Sequence, residues 1–261
     1  MFLIKVFLSF IVAGVWITLV TILAEKLGTK IGGIIGSLPS NTVISLFFIG
    51  LTQTPEFAAN AAKIVPLALV MSSVFLFIFI VTAKKYGKLA FVFALLAWFI
   101  LAIPLGNLGF TDVVLGTAIY AILSGAMFYI LEYWMNIQSM EKKVNLKYSP
   151  GELLLRAVFA GGVVSGAVVI AAFLGSVWGG IFSTFPAVVL STMFLLTRAQ
   201  GVEFAQATGK VLLPGYSNIV VYGIAVSLTY PTYGLVWGTV ISYSAAALYV
   251  IAISPLLRKM K

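Results

Sequence analysis

The chain contains no cysteine and no histidine. Thiol nucleophiles, zinc sites of the Cys/His type and the commonest general base are therefore excluded. Carboxylates are scarce as well: 7 Asp and Glu stand against 16 Lys and Arg in 261 residues. Charged residues make up 9% of the chain, where a soluble domain carries roughly 25%. No carboxylate falls in the middle of an apolar run; Asp112, Glu132 and Glu152 lie at run ends. A carboxylate proton relay or an acidic cation site is thereby disfavoured. Nothing in the chain forms a nucleophile or metal set, so an enzyme is not expected. Low-complexity tracts are missing, and no polar stretch is long enough for a soluble domain.

What is abundant is apolar sequence. Hydrophobic residues make up 62% of the chain and the mean hydropathy is +1.14. Runs of about 20 apolar residues recur from end to end, which marks membrane-spanning helices. Nine spans are predicted, at 3–24, 31–52, 57–82, 89–106, 112–135, 152–174, 178–198, 204–228 and 233–254. The N-terminal run resembles a signal peptide in composition. It is read instead as a span, because Ala13-Gly14 recurs as Ala160-Gly161. The formal net charge of +9 does not indicate nucleic acid, since the basic residues gather at span ends. If all nine segments cross, one side receives Lys26, Lys30, Lys84, Lys85, Lys88, Lys142, Lys143, Lys147, Arg156, Arg198, Arg258, Lys259 and Lys261. The other receives only Lys5. Such a bias puts the N-terminus outside and the C-terminus in the cytoplasm of a cell-membrane protein. Making the second and seventh segments re-entrant removes the bias.

The chain also contains one stretch twice. Residues 28–63 align without a gap with residues 175–210 at an offset of 147, and 11 of the 36 positions are identical. The matches fall on residues with positional meaning: Gly28/Gly175, Gly32/Gly179, Gly33/Gly180, Pro39/Pro186, Glu56/Glu203 and Lys63/Lys210. A second match, Val114 to Ile119 with Val236 to Ile241, has an offset of 122. The first half therefore holds 147 − 122 = 25 extra residues, a helix and a turn, most simply the fourth span. Five spans followed by four insert the second half upside down. The expected fold class is an all-α polytopic membrane protein, nine transmembrane helices as 5+4 inverted repeats with proline-broken helices. Its parts are a first repeat (1–135), a cytoplasmic linker (136–151) and a second, inverted repeat (152–261). Repeats of this kind are common in secondary transporters, with the site at the midplane where they meet.

Three sets of residues are candidates for that site. Ser37, Ser40, Asn41 and Thr42 crowd the first break, at Pro39; Ser183 and Thr184 crowd the second, at Pro186. A proline inside a helix frees carbonyls that need partners, and broken helices are tolerated in membranes where they line a cavity or are packed in protein. Half-helix N-termini facing each other favour an anionic ligand. The plainer alternative is a pair of structural kinks. Lys63 and Lys210 each lie seven residues after a Glu, two turns along one face and roughly 10 Å along the axis. Charges within spans are functional candidates; the alternative is that the ammonium groups snorkel to the interface. With no carboxylate nearby, the two lysines are expected to face the cavity and attract an anion. Gly14, Gly28, Gly32, Gly33, Gly161, Gly162, Gly166, Gly179 and Gly180 are read as close-packing positions. Tyr133, Trp134, Tyr230 and Tyr233 are read as interface anchors.

The segment Phe182-Ser183-Thr184-Phe185-Pro186-Ala187-Val188-Val189-Leu190, with Gly201, Glu203 and a basic residue downstream, resembles the GlpM-type small membrane proteins of bacteria. Those carry a short Phe-Pro hydrophobic hairpin with a charged turn. The likeness covers about 40 residues of each half, and the first copy departs from it with Leu38-Pro39. It implies that the proline hairpin is the ancestral unit and carries no substrate with it.

The function expected is alternating-access transport of a small anionic or zwitterionic solute. The alternatives are a lipid flippase or other lipid-handling protein, and a structural or partner-binding membrane protein. No cofactor is expected, although hydroxyls and freed carbonyls could hold a coupling ion. The partners are the lipid bilayer, the small-molecule solute and a possible second copy of the chain, with no nucleic acid.

Overall fold

The computed structural model describes residues 1–26, 38–138 and 149–257. Every regular element among the described residues is helical. In chain order these are α1 (Phe2–Lys26), α2 (Ser40–Thr52), α3 (Pro55–Lys63), α4 (Val65–Tyr86), α5 (Leu89–Leu108) and α6 (Val113–Tyr129). After a π-helical turn (Ile130–Trp134) come α7 (Pro150–Leu174), α8 (Ser176–Ser183), α9 (Ala187–Gln200), α10 (Val202–Gly215) and α11 (Ser217–Leu257). Helices of this composition are apolar on nearly every face. In water such a helix has to be buried; in a bilayer lipid covers the outward face.

Seven helical segments are long and apolar enough to cross a membrane. One of them, running through α11, is two arms. At about 60 Å a straight 41-residue helix would be twice the hydrocarbon thickness. Gly234 breaks it, with φ 69° and ψ −175°, a conformation that a side chain would resist. The Thr229 and Ser242 hydroxyls lie 2.8 Å apart, and Tyr230 Oη lies 2.7 Å from Thr239 Oγ1. Thirteen residues along a straight helix would separate the first pair by about 20 Å, so the arms fold back on one another. This turn separates the predicted eighth and ninth spans. It also corrects one anchor: Tyr230 is fully buried in the hairpin. Tyr133, Trp134 and Tyr233 are exposed, as expected of anchors.

The remaining boundaries follow from local chemistry. Thr54 caps α3 by accepting from the amide of Phe57, and Asp112 caps α6 by accepting from those of Val114 and Leu115. Ser149 and Glu152 form a capping box at the start of α7. Gly109 ends α5 in the left-handed region. The predicted third span is kinked where α3 meets α4 at Ile64, just before Pro66. Of the second predicted span only α2 and Leu38-Pro39 lie within the described residues.

α4 is the central element: 67% of its most apolar window is buried, against 17% for the segment Val113–Trp134. α1 lies along α7 with small residues at the contact. A Cβ on Gly14 would lie 3.0 Å from the Ala157 carbonyl oxygen, and one on Gly161 would lie 2.6 Å from that of Phe10. Gly179 and Gly180 are packed as closely. Gly162 and Gly166 are not, since a Cβ on either meets nothing within 4 Å. The close-packing reading is corrected for those two, which sit off the α1 contact. Gly28, Gly32 and Gly33 lie outside the described residues.

Candidate functional site

Pro39 and Pro186 have nearly the same backbone, φ −77°, ψ 45° and φ −77°, ψ 44°. In each case the following amide bonds back across the proline, Ser40 N–H to the Leu38 carbonyl at 2.8 Å and Ala187 N–H to that of Phe185 at 2.7 Å. These are inverse γ-turns, and proline suits their centre because its φ is fixed and it has no N–H to leave unpaired. A new helix then starts, with Val43 N–H donating to the Pro39 carbonyl and Leu190 N–H to that of Pro186. The prolines therefore stand at the N-caps of α2 and α9, not inside continuous helices, and no side chain caps either helix start.

The two breaks meet. Asn41 Nδ2 lies 3.4 Å from both the Ser183 and the Phe185 carbonyl oxygens, and Thr42 Oγ1 donates to Ser183 O at 3.1 Å. Ser72 Oγ, from the middle of α4, donates to the Thr184 carbonyl at 2.8 Å. The carbonyls freed by the second break are thus satisfied by side chains of the first half, the accounting that a bilayer interior requires. The hydroxyls of Ser183 and Thr184 bond back to Gly180 O and Ile181 O, so these two residues offer carbonyls to the junction and keep their hydroxyls local. Around the junction, four polar atoms among the described residues remain buried without a hydrogen bond: Ser40 Oγ, Asn41 Oδ1, Ser45 Oγ and Trp98 Nε1. Trp98 of α5 is fully buried against the second break, its ring centroid 4.9 Å from that of Phe185. Ser37 lies outside the described residues. The sequence reading omitted Ser72; its signal was Ser72-Ser73 within an otherwise apolar span.

The lysines part company. Lys210 is fully buried, and its Nζ lies 2.6 Å from Glu132 Oε2. It also donates to the Ile137 carbonyl. This overturns one expectation, that no carboxylate is available to Lys210, and it sets aside for Lys210 the alternative of a snorkelling ammonium. Glu132 was taken for a span-end residue. The π-turn Ile130–Trp134, which widens the helix end, carries it instead into the interior, where it is 7% exposed. Lys63 is half-buried, with no ion pair among the described residues. A third cation, Arg156, is buried near the start of α7 and donates to Thr192 Oγ1 at 3.2 Å. Sequence counting had placed it in a loop. Lysine is therefore not the sole ionisable side chain of the interior.

Residues 6–108 match the sequence model of a family described as "Protein of unknown function (DUF3147)". The matched stretch runs from α1 to the end of α5 and so includes the first break and Lys63. No curated protein and no solved structure matches the chain.

Proposed function

We propose that the chain is an alternating-access transporter for a small anionic or zwitterionic solute, built as 5+4 inverted repeats with its site where the two helix breaks meet. The observation that carries this reading is the pair of proline-centred γ-turns, equal in backbone geometry and joined through Asn41, Thr42 and Ser72. Each turn starts a helix whose first amides have no side-chain cap, and such ends favour negative charge.

Reciprocal contacts support a two-fold relation between the halves. Gly14 touches Ala157 and Phe10 touches Gly161, where 10 + 147 = 157 and 14 + 147 = 161. Likewise a Cβ on Gly223 would lie 3.4 Å from the Ala62 carbonyl oxygen, and one on Gly209 would lie 3.1 Å from Leu76 Cδ1; here 62 + 147 = 209 and 76 + 147 = 223. An interface in which i meets j and j meets i is the mark of a two-fold axis. Ion pairs support the alternation of loops. Lys84–Glu203 at 3.1 Å and Arg198–Glu152 at 3.4 Å each join ends assigned to the cytoplasmic side.

In this mechanism the γ-turns act as hinges, each closed locally by one short-range backbone bond, and the repeats rock about them. Reconstituted protein should carry the solute into liposomes. Pro39→Ala and Pro186→Ala should each lower flux by roughly tenfold, the effect of withdrawing one helix terminus worth ~1–2 kcal/mol from a bound charge. Undiminished flux in both variants would make the breaks mere bends.

A further inference from the structure

Resting on the transport reading and deepening it, we propose that the junction takes a small zwitterion of the amino-acid type. Its carboxylate sits on the first turn of α2 at Ser40, and its ammonium sits at Asn41 Oδ1.

Asn41 sets the second half of that requirement. Both neighbours at 3.4 Å from its amide end are carbonyl oxygens, of Ser183 and Phe185. Only the NH₂ group can face two acceptors, so the amide has one usable orientation. Its oxygen, on the same planar group, then faces away from those two carbonyls as a buried acceptor with no donor. A simple anion offers nothing to it. An ammonium does.

The anionic half has its own feature. Ser40 is 8% exposed, its Oγ has no hydrogen-bond partner, and it opens the uncapped 13-residue helix α2. Ser40 N–H is engaged by the Leu38 carbonyl, and its hydroxyl beside the following amides, those of Asn41 and Thr42, makes a carboxylate site. Ser45, fully buried and also without a partner, lies one turn beyond Asn41 on the same face. The corresponding turn of α9 is Ala187-Val188-Val189, which brings no polar side chain. Recognition of the solute by side chains is therefore one-sided, on α2. The charges agree: Lys210 is already matched by Glu132, so the two equivalent lysines do not form a pair of open cations that would select a plain anion.

The test is uptake by the full-length protein in liposomes with four labelled probes. These are L-alanine, its deaminated counterpart propionate, its decarboxylated counterpart ethylamine, and inorganic phosphate. L-alanine should be taken up and the other three should not. Ser40→Ala and Asn41→Leu should each lower its uptake roughly tenfold, the loss of one hydrogen bond to a charged group. Asn41→Leu also removes the bonds to the second break. If it folds poorly, Ser40→Ala carries the test, since it removes only a hydroxyl without a partner. Propionate or phosphate moving as fast as L-alanine, or full activity of Ser40→Ala, overturns the zwitterion assignment and leaves the transport reading standing. Absence of flux for all four probes overturns both.

Discussion

Lys210 and Glu132 form an ion pair in a place where neither charge can reach bulk water, at 0% and 7% exposure. Taking either partner away removes the opposite charge from the other, which in buried pairs costs about 3–5 kcal/mol, whereas replacing both by apolar groups is often neutral. Lys210→Met should therefore destabilise the detergent-solubilised protein by that amount. Lys210→Met combined with Glu132→Leu should recover most of the loss in thermal unfolding. A double variant as unstable as the single one would show that the pair is not the unit that matters. The pair also breaks the repeat. At the offset of 122, Glu132 corresponds to Ser254 (132 + 122 = 254), whose hydroxyl bonds back to Ile251 O. Under the proposed repeat, the position equivalent to the carboxylate partner of Lys210 is, for Lys63, a serine. The sequence showed the equivalence of the two lysines but not this difference. Glu132 and Lys210 are far apart in the chain, and only the π-turn brings the carboxylate inward.

Among the elements, the short helices on either side of the breaks are held by backbone proximity. Gly180 of α8 faces the last turn of α3, where a Cβ would collide with the Ala61 carbonyl oxygen. That contact is to backbone and cannot be relieved by rotating a side chain. Gly180→Ala should cost about 1–3 kcal/mol in thermal unfolding, as overpacking does. Gly162→Ala, on the open face of α7, should be neutral or slightly stabilising, because alanine is the better helix former. Equal effects of the two substitutions would refute the packing distinction. Composition could not make that distinction, since glycine is read alike on either face of an apolar helix. The breaks themselves were legible because proline carries its own geometry and occurred at matched positions. What satisfies the freed carbonyls was less so: Asn41 and Thr42 were named, whereas Ser72 belongs to a helix whose rotation is set only by packing.

For the whole molecule the decisive property is the relation between its halves. The repeat offset, the charge bias and the reciprocal contacts of Gly14 with Ala157 and of Phe10 with Gly161 all bear on it, and they rest on different residues. Most of the predicted spans were legible because hydropathy sets them, and seven helical segments are long and apolar enough to cross. The hairpin in α11 agrees with the predicted gap between 228 and 233, displaced to Gly234. Orientation follows from charge placement and can be read by labelling, for which a chain without cysteine gives no background. Cysteine placed at Lys84, or at Lys143 in the linker, should react only from the cytoplasm, and cysteine at Thr232 only from outside. Lys84 and Thr232 are both exposed, and breaking the surface pair of Lys84 with Glu203 costs at most ~1 kcal/mol, so the fold should survive. Between Lys84 and Lys143 the chain passes through α5 and α6. Two crossings return it to the same side; one crossing does not. Labelling of these positions from opposite faces would therefore leave an even number of spans before the linker. The halves would then insert in the same sense, and the two helix breaks would enter the junction from one side instead of from both.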